Sequence, residues 1–325
     1  MSSTFSSLLW RLAALSILFG CLSGCGSKNS EPRWPKSKVL ANKLDHPQAI
    51  AVDEKHIYFV MGGTIASQNE GTNNVMRMPI EGGPLTVVFK GGNKYIPDTF
   101  FLTLDERYAY FSVGSLVRVP KEGGPLEEIS IAGMPTEFVM DKENYYWHPF
   151  VGEGMPPALF YSMSKKGGQA QAITDPRPSA NGLCIDDQYI YWIQTTGIYR
   201  KPKTGGEITQ VYATPEGQIS SGLRLDADNF YFTQGTSKHA LYKLSKAGGE
   251  PLQLAKSINS AADFVLGDTD LYFQRERDFN TDYLSKVSKK GGEVIDLDYG
   301  YMKSLAVGKT DIYFTDISTI YSIPK

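Results

Sequence analysis

Apolar and polar positions alternate in short runs along this chain, and the runs recur. Seven times, at a spacing of about forty residues, a tyrosine is followed at once by a second aromatic: Tyr58-Phe59, Tyr110-Phe111, Tyr146-Trp147, Tyr191-Trp192, Tyr231-Phe232, Tyr272-Phe273 and Tyr313-Phe314. Aligned on that tyrosine, the column six residues earlier reads Val52, Leu104, Met140, Ile185, Leu225, Leu266 and Val307. The column eight residues earlier reads Ile50, Leu102, Phe138, Leu183, Leu223, Phe264 and Leu305. Two apolar columns two residues apart describe one face of a strand. Between strand and tyrosine stand Asp53, Asp105, Asp141, Asp186 and Asp226, then Gly267 and Gly308. Asp bonds backbone amides and Gly tolerates positive φ, so this column predicts a tight turn. The second strand carries one aromatic ring on each side.

A third strand follows, as in Leu116 to Lys121 and Ile198 to Lys203. Six double glycines then turn the chain into a fourth: Gly82-Gly83, Gly123-Gly124, Gly167-Gly168, Gly205-Gly206, Gly248-Gly249 and Gly291-Gly292. Four short strands per repeat, with a period of about forty residues, predict a β-propeller. The last repeat stops at Pro324-Lys325, just before the glycine corner, and so lacks its fourth strand. Ser37 to Ala41 resembles the fourth strands and has no repeat of its own. The expected fold is therefore all-β: a seven-bladed propeller over residues 37–325, closed by an N-terminal strand completing the last blade. Closure removes exposed sheet edges.

The repeat Tyr-aromatic … Pro-Lys-x-Gly-Gly, kept in Pro120-Lys121 and Pro202-Lys203 and truncated at Pro324-Lys325, resembles a class of bacterial secreted, loosely TolB-like propellers. The other copies have Ser-Lys or, once, Pro79-Ile80. The resemblance implies the fold and, for many members, a lipoprotein without an assigned role. The matching residues are structural, so it implies no reaction.

Residues 1–24 read as a signal peptide. Arg11 is the only charge before an apolar run from Leu12 to Leu22, which is shorter than the roughly twenty residues needed to cross a bilayer. Leu22-Ser23-Gly24-Cys25 resembles the lipobox of bacterial lipoproteins, which implies cleavage before Cys25 and lipidation, palmitate included, of its thiol. Several acyl chains hold a protein on a membrane where one does so only marginally. Gly26 rather than aspartate follows the cysteine, so the expected place is the cell envelope, at the outer membrane. Residues 25–36 read as the lipidated cysteine and a polar tether.

Removal of Arg11 with the signal leaves 32 basic against 35 acidic side chains, a balance that gives no strong field for nucleic acid. Cys184 alone then remains, so no internal disulfide forms. His46, His56, His148 and His239 lack metal spacing; His56 reads as a surface residue at a strand start, His148 and His239 as loop residues. Asp278, Asn280 and Asp282 make half a calcium loop without its glycine and distal glutamate. No cofactor or metal is expected.

Candidate chemistry therefore sits where repeats differ. The connections after Met61, Trp147 and Phe273 are long or charged, and irregular loops on a rigid scaffold are where sites form. Seven residues before the tyrosine the column reads Ala51, Thr103, Val139, Cys184, Arg224, Val265 and Ala306, with Arg224 its single charge. Two residues earlier stand Glu137 and Asp263. A charge beside a central channel needs a partner, which points to Asp263 or, second, Glu137 for Arg224. Glu137, Asn181, Arg224, Asp263, Arg275 and Lys303 are the candidate ligand-binding set. The expected function is a lipid-anchored binding or scaffold module for an envelope protein or glycan. The alternative is a glycan-active hydrolase or lyase with Glu137 and Asp263 as acid and base.

Overall fold

The computed structural model describes residues 34–62, 74–91, 101–129, 134–150, 160–173, 181–236, 238–258, 264–278 and 281–325. Every regular element among them is a strand. Each repeat forms antiparallel strands in chain order, beginning with Pro47–Val52, His56–Met61, Val75–Pro79 and Thr86–Phe89. The next three repeats repeat this pattern as separate four-stranded sheets. The fifth and sixth share one larger sheet, joined where Ile258 pairs with Arg275. In the seventh, Ser304–Val307, Asp311–Thr315 and Ile320–Pro324 are joined by Lys38–Ala41, which runs antiparallel to Ile320–Pro324. This arrangement of four-stranded antiparallel sheets is that of a propeller.

The paired aromatics explain why the sheets stack. Tyr58 packs with Leu102, Ala109 and Phe111 of the second repeat, whereas Phe59, its neighbour, packs with Ala306, Tyr313 and Ile320 of the seventh. Successive side chains of a strand point to opposite faces, so one dipeptide joins two neighbours. The first strands also touch in sequence, Pro47–Val52 lying against Leu102–Leu104 on one side and Ser304–Val307 on the other.

The aspartate turn does more than turn the chain. In the second repeat Asp105 Oδ1 accepts the amides of Arg107 and Tyr108 at 2.8 and 2.7 Å, and Oδ2 accepts the Tyr110 hydroxyl at 2.7 Å. Asp141, Asp186 and Asp226 repeat the pattern with Tyr146, Tyr191 and Tyr231. Four of the five turn aspartates also meet a lysine from the glycine corner of the following repeat. Lys121 reaches Asp53 at 2.8 Å, Lys203 reaches Asp141 at 2.6 Å, Lys246 reaches Asp186 at 2.9 Å and Lys289 reaches Asp226 at 3.3 Å. These four lysine side chains are only 14–17% exposed. Burial opposes charge on Asp141, yet Lys203 and the amides of Asn144 and Glu143 outweigh it and hold the carboxyl at about 2. Burial is likewise outweighed at Asp226, held at about 2, and the carboxyls of Asp53, Asp105 and Asp186 are lowered too.

The body begins at Trp34, within the stretch read as polar tether. Trp34 is 2% exposed and lies 4.4 Å, centroid to centroid, from Phe314. It covers Gly300, where a Cβ would stand 2.7 Å from the indole. Buried Asp298 accepts the Lys36 amide and the Ser37 hydroxyl with one oxygen. A single aromatic between Arg33 and Pro35 has no periodicity, so the pattern along the chain does not reveal this anchor.

Two outcomes follow from these contacts. The lowered carboxyls contribute stability above the ordinary aspartate range, about pH 4, that is lost as pH falls towards about 2. Melting temperature should therefore fall across that window, and in a Lys246→Met, Asp186→Asn double-mutant cycle the pair should show coupling of about 0.5–3 kcal/mol. Denaturant unfolding of Trp34→Ala should show a loss of about 3–5 kcal/mol, the range for a buried aromatic.

Candidate functional site

Bulges shape the inner strands. Register shifts occur between Gln48 and Ala51, Asn181 and Cys184, and Ser221 and Arg224. At each the chain turns left-handed: φ is 48° at Ala49 and 64° at Gly182 and Gly222. A bulge takes amides out of the ladder. At two of the three, the neighbouring repeat supplies acceptors for them. Glu137 takes the Gly182 amide on Oε1 at 2.8 Å and the Leu183 amide on Oε2 at 3.0 Å, and Ser304 Oγ takes the Ile50 amide at 3.1 Å. Gly182 is required twice over, by its φ and because a Cβ there would stand 2.6 Å from the Leu223 nitrogen.

Next to these bulges, at the end of the inner strands nearest the aspartate turns, lies a cavity of about 490 Å³. Its wall comes from the inner strands of repeats two to six: Thr103, Val139, Cys184, Arg224 and Val265, with the column from Leu104 to Leu266 beside them. Arg224 is the one charged side chain among the described residues of that wall. Its Nη1 donates to the Leu223 carbonyl at 2.9 Å, and the guanidinium lies 5.8 Å from the centre of the Phe264 ring. The same carbonyl accepts the Cys184 thiol at 3.1 Å. Burial foremost, with Glu137 adding and Arg224 opposing, pushes that thiol up to about 12, so it is no thiolate nucleophile at neutral pH.

The candidate set separates in space. Glu137 and Arg224 both act on Cys184. Asn181 begins the strand Asn181–Ile185. Arg275 is engaged within its own sheet, Nε and Nη2 meeting Asp296 Oδ1 at 2.9 and 2.7 Å. Lys303 is exposed on the approach to Ser304–Val307, its amide donating to the Thr315 carbonyl at 2.8 Å. Asp263, Cys25 and Asn280 lie outside the described residues, as do most of the connection after Met61 and nearly all of the one after His148.

His148 and His239, read as loop residues, both belong to strands, Asn144–Pro149 and His239–Ser245. Burial lowers the His148 pKa, and its ring lies 4.8 Å from that of Phe160. Polar connections disguise such strand ends. Among the described residues no group of three or more His, Cys, Asp or Glu is placed to hold a metal.

No family model matches the chain, and no curated protein matches it. Solved structures do. An oligogalacturonate lyase in complex with manganese superposes with a TM-score of 0.65 at 13% identity, over 87% of this chain and 89% of that one. The oligogalacturonate lyase of Vibrio parahaemolyticus gives 0.64 at 10% identity, over 88% and 91%. The extracellular domain of a putative one-component system from B. thetaiotaomicron gives 0.64 at 10% identity, over 89% of this chain but 40% of that one. At such identities the likeness shows the fold alone, a β-propeller.

The amide-binding role of Glu137 has a direct readout. Glu137→Gln should speed hydrogen exchange at Gly182 and Leu183 and cost about 1–3 kcal/mol of stability, since one amide loses a carboxylate acceptor.

Proposed function

We propose that this chain is a lipid-anchored envelope protein: a closed, seven-bladed propeller that binds a protein or glycan partner and performs no reaction. Closure is supported by the pairing of Lys38–Ala41 with Ile320–Pro324 and by contact between the first strands of the first and last repeats. Seven copies of the tyrosine pair support the blade count. The leader and the Leu22-Ser23-Gly24-Cys25 sequence support export, cleavage before Cys25 and lipidation there, with the outer membrane as destination.

One observation carries the choice of binding over catalysis. Both Glu137 oxygens accept backbone amides of the next repeat. A general acid or base must exchange a proton with its substrate. Protonating Glu137 would weaken two bonds that hold an inner strand in place. The rival reading, a glycan-active hydrolase or lyase, draws on the likeness to oligogalacturonate lyases and keeps Asp263 as its remaining carboxylate.

The test begins in intact cells. Palmitate labelling should mark the chain, and Cys25→Ser should abolish the label and release the protein from membranes. Cross-linking should then recover one envelope partner, and replacing residues 275–282 should lose it. Cleavage of a polysaccharide by the purified protein, abolished by Asp263→Asn with the fold intact, would establish the enzyme instead.

A further inference from the structure

We propose that one end of the seventh sheet, the end away from its Gly308 turn, docks on a bilayer with anionic headgroups and so fixes how the anchored propeller lies on the membrane. This rests on the reading of Cys25 as lipidated and adds a second point of contact to it. The surface consists of Tyr301 and Ile317, 52% and 45% exposed, with the exposed lysines Lys36, Lys43 and Lys303 around them. Single apolar side chains on a surface are ordinary. Their position and the way they are held make these two different.

The backbone gathers these residues at one place. The Lys303 amide donates to the Thr315 carbonyl at 2.8 Å, and the turn carrying Ile317 follows directly. The amide of Leu44, next to Lys43, donates to the Ser318 carbonyl of that turn at 2.9 Å. The body also begins here: the Trp34 amide donates at 3.2 Å to the carbonyl of Tyr299, two residues before Tyr301. Eight residues separate Cys25 from Trp34, and whatever their conformation they reach at most about 30 Å. Acyl chains on Cys25 therefore keep this surface beside the bilayer at a high effective concentration, where a weak attraction is enough to set orientation.

Two of the residues fit their own backbone poorly. Asp316 Oδ1 accepts the amides of Ser318 and Thr319 at 2.8 and 2.9 Å, and Oδ2 accepts the Tyr321 hydroxyl at 3.0 Å, which fixes a tight turn with Ile317 in its middle. Such positions favour Gly, Pro, Asn, Asp and Ser, and the short turn of the fourth repeat carries Thr195 and Thr196. Lys43 has a φ of 59°, a left-handed conformation that suits Gly or Asn. The local chain calls for neither side chain, and a bilayer uses both. Tyrosine and aliphatic groups enter the headgroup layer, and each lysine near an anionic surface adds attraction. The carboxylates at this end are engaged elsewhere. Asp316 and Asp298 are buried, Asp298 on the Lys36 amide and Ser37, and Asp45 meets His46 at 2.9 Å.

Purified lipidated protein in vesicles tests the orientation. A nitroxide is attached at Ser318→Cys, in the Ile317 turn, or at Lys309→Cys, in the exposed turn at the far end of the same sheet. Cys184 is buried with its thiol protonated and takes no label. In vesicles of phosphatidylcholine and phosphatidylglycerol, two to one, the first label should be shielded from a water-soluble nickel complex and open to oxygen dissolved in lipid. The second should stay open to the nickel complex. In phosphatidylcholine alone, or after Lys36→Glu with Lys43→Glu, the shielded fraction at the first label should fall about fivefold or more, the scale of one lysine at an anionic surface. Tyr301→Ser with Ile317→Ser should lower it as well. Every variant should still float with the vesicles, circular dichroism checks its fold, and the comparison of lipids needs no substitution beyond the label. Two labels equally shielded, or shielding of the first that ignores lipid charge or either pair of substitutions, overturns the proposal. A chain that floats with both labels in water sinks this inference alone; one that carries no acyl group sinks the anchor reading and this inference with it.

Discussion

A single carboxylate organises three parts of the chain at once, and the stacking of the repeats depends on it. Asp186 closes its own turn through the amides of Gln188 and Tyr189, holds the Tyr191 hydroxyl, and receives Lys246 from the next repeat. The lysine stem crosses the same tyrosine, its ammonium 5.5 Å from the ring centre. Lys121, Lys203 and Lys289 lie at 5.9, 5.3 and 5.7 Å from Tyr58, Tyr146 and Tyr231. A mostly buried ammonium and carboxylate stabilise only when their remaining donors and acceptors are met. Here turn amides, tyrosine hydroxyl and lysine meet the aspartate together. Apolar stacking alone would hold two sheets together without fixing how one slides on the next; this directional contact sets their registration.

The seventh sheet lacks this contact on both sides. The aspartate column becomes Gly267 and Gly308 in the last two repeats. Opposite Gly308, the lysine position of the first repeat is Ile80, which packs with Tyr313 and Met78 instead. A lysine retained there would be a buried cation without its carboxylate. Opposite Gly267, Lys325 meets exposed Asp268 at 3.9 Å, a contact worth little. The seventh sheet therefore lacks the buried ion pair on both flanks. Trp34 on Phe314, and Asp298 binding Lys36 and Ser37, hold it from the N-terminal side.

The sequence was legible wherever one repeat explains itself. The apolar columns, the turn aspartates and the two-sided aromatic pair all follow from a single strand-turn-strand unit, and they appear as read. It was less legible wherever a residue acts on a neighbour. Lys203 and Asp141 are 62 residues apart, and a perfectly periodic pattern cannot say whether a lysine serves its own aspartate or the previous one. The role of Glu137 had a faint signal, the glycines Gly182 and Gly222 nine residues before their tyrosines. Those glycines mark bulges whose amides need acceptors. Trp34 had none, because an isolated aromatic in a polar stretch has no pattern to join.

These structural duties sharpen the search for function by subtraction. Glu137 departs from its column, but the departure is accounted for by the two amides it accepts. Arg275 is engaged by Asp296, whose carboxylate also accepts the Ser285 hydroxyl. Trp147 and Trp192 occupy the ordinary aromatic position and are fully buried there. Arg224 stands in a column that is otherwise uncharged, lines a cavity whose described wall is mostly apolar, and shares the Leu223 carbonyl with the Cys184 thiol. A charge placed on that inner surface costs desolvation, which the Leu223 carbonyl and the Phe264 ring offset in part.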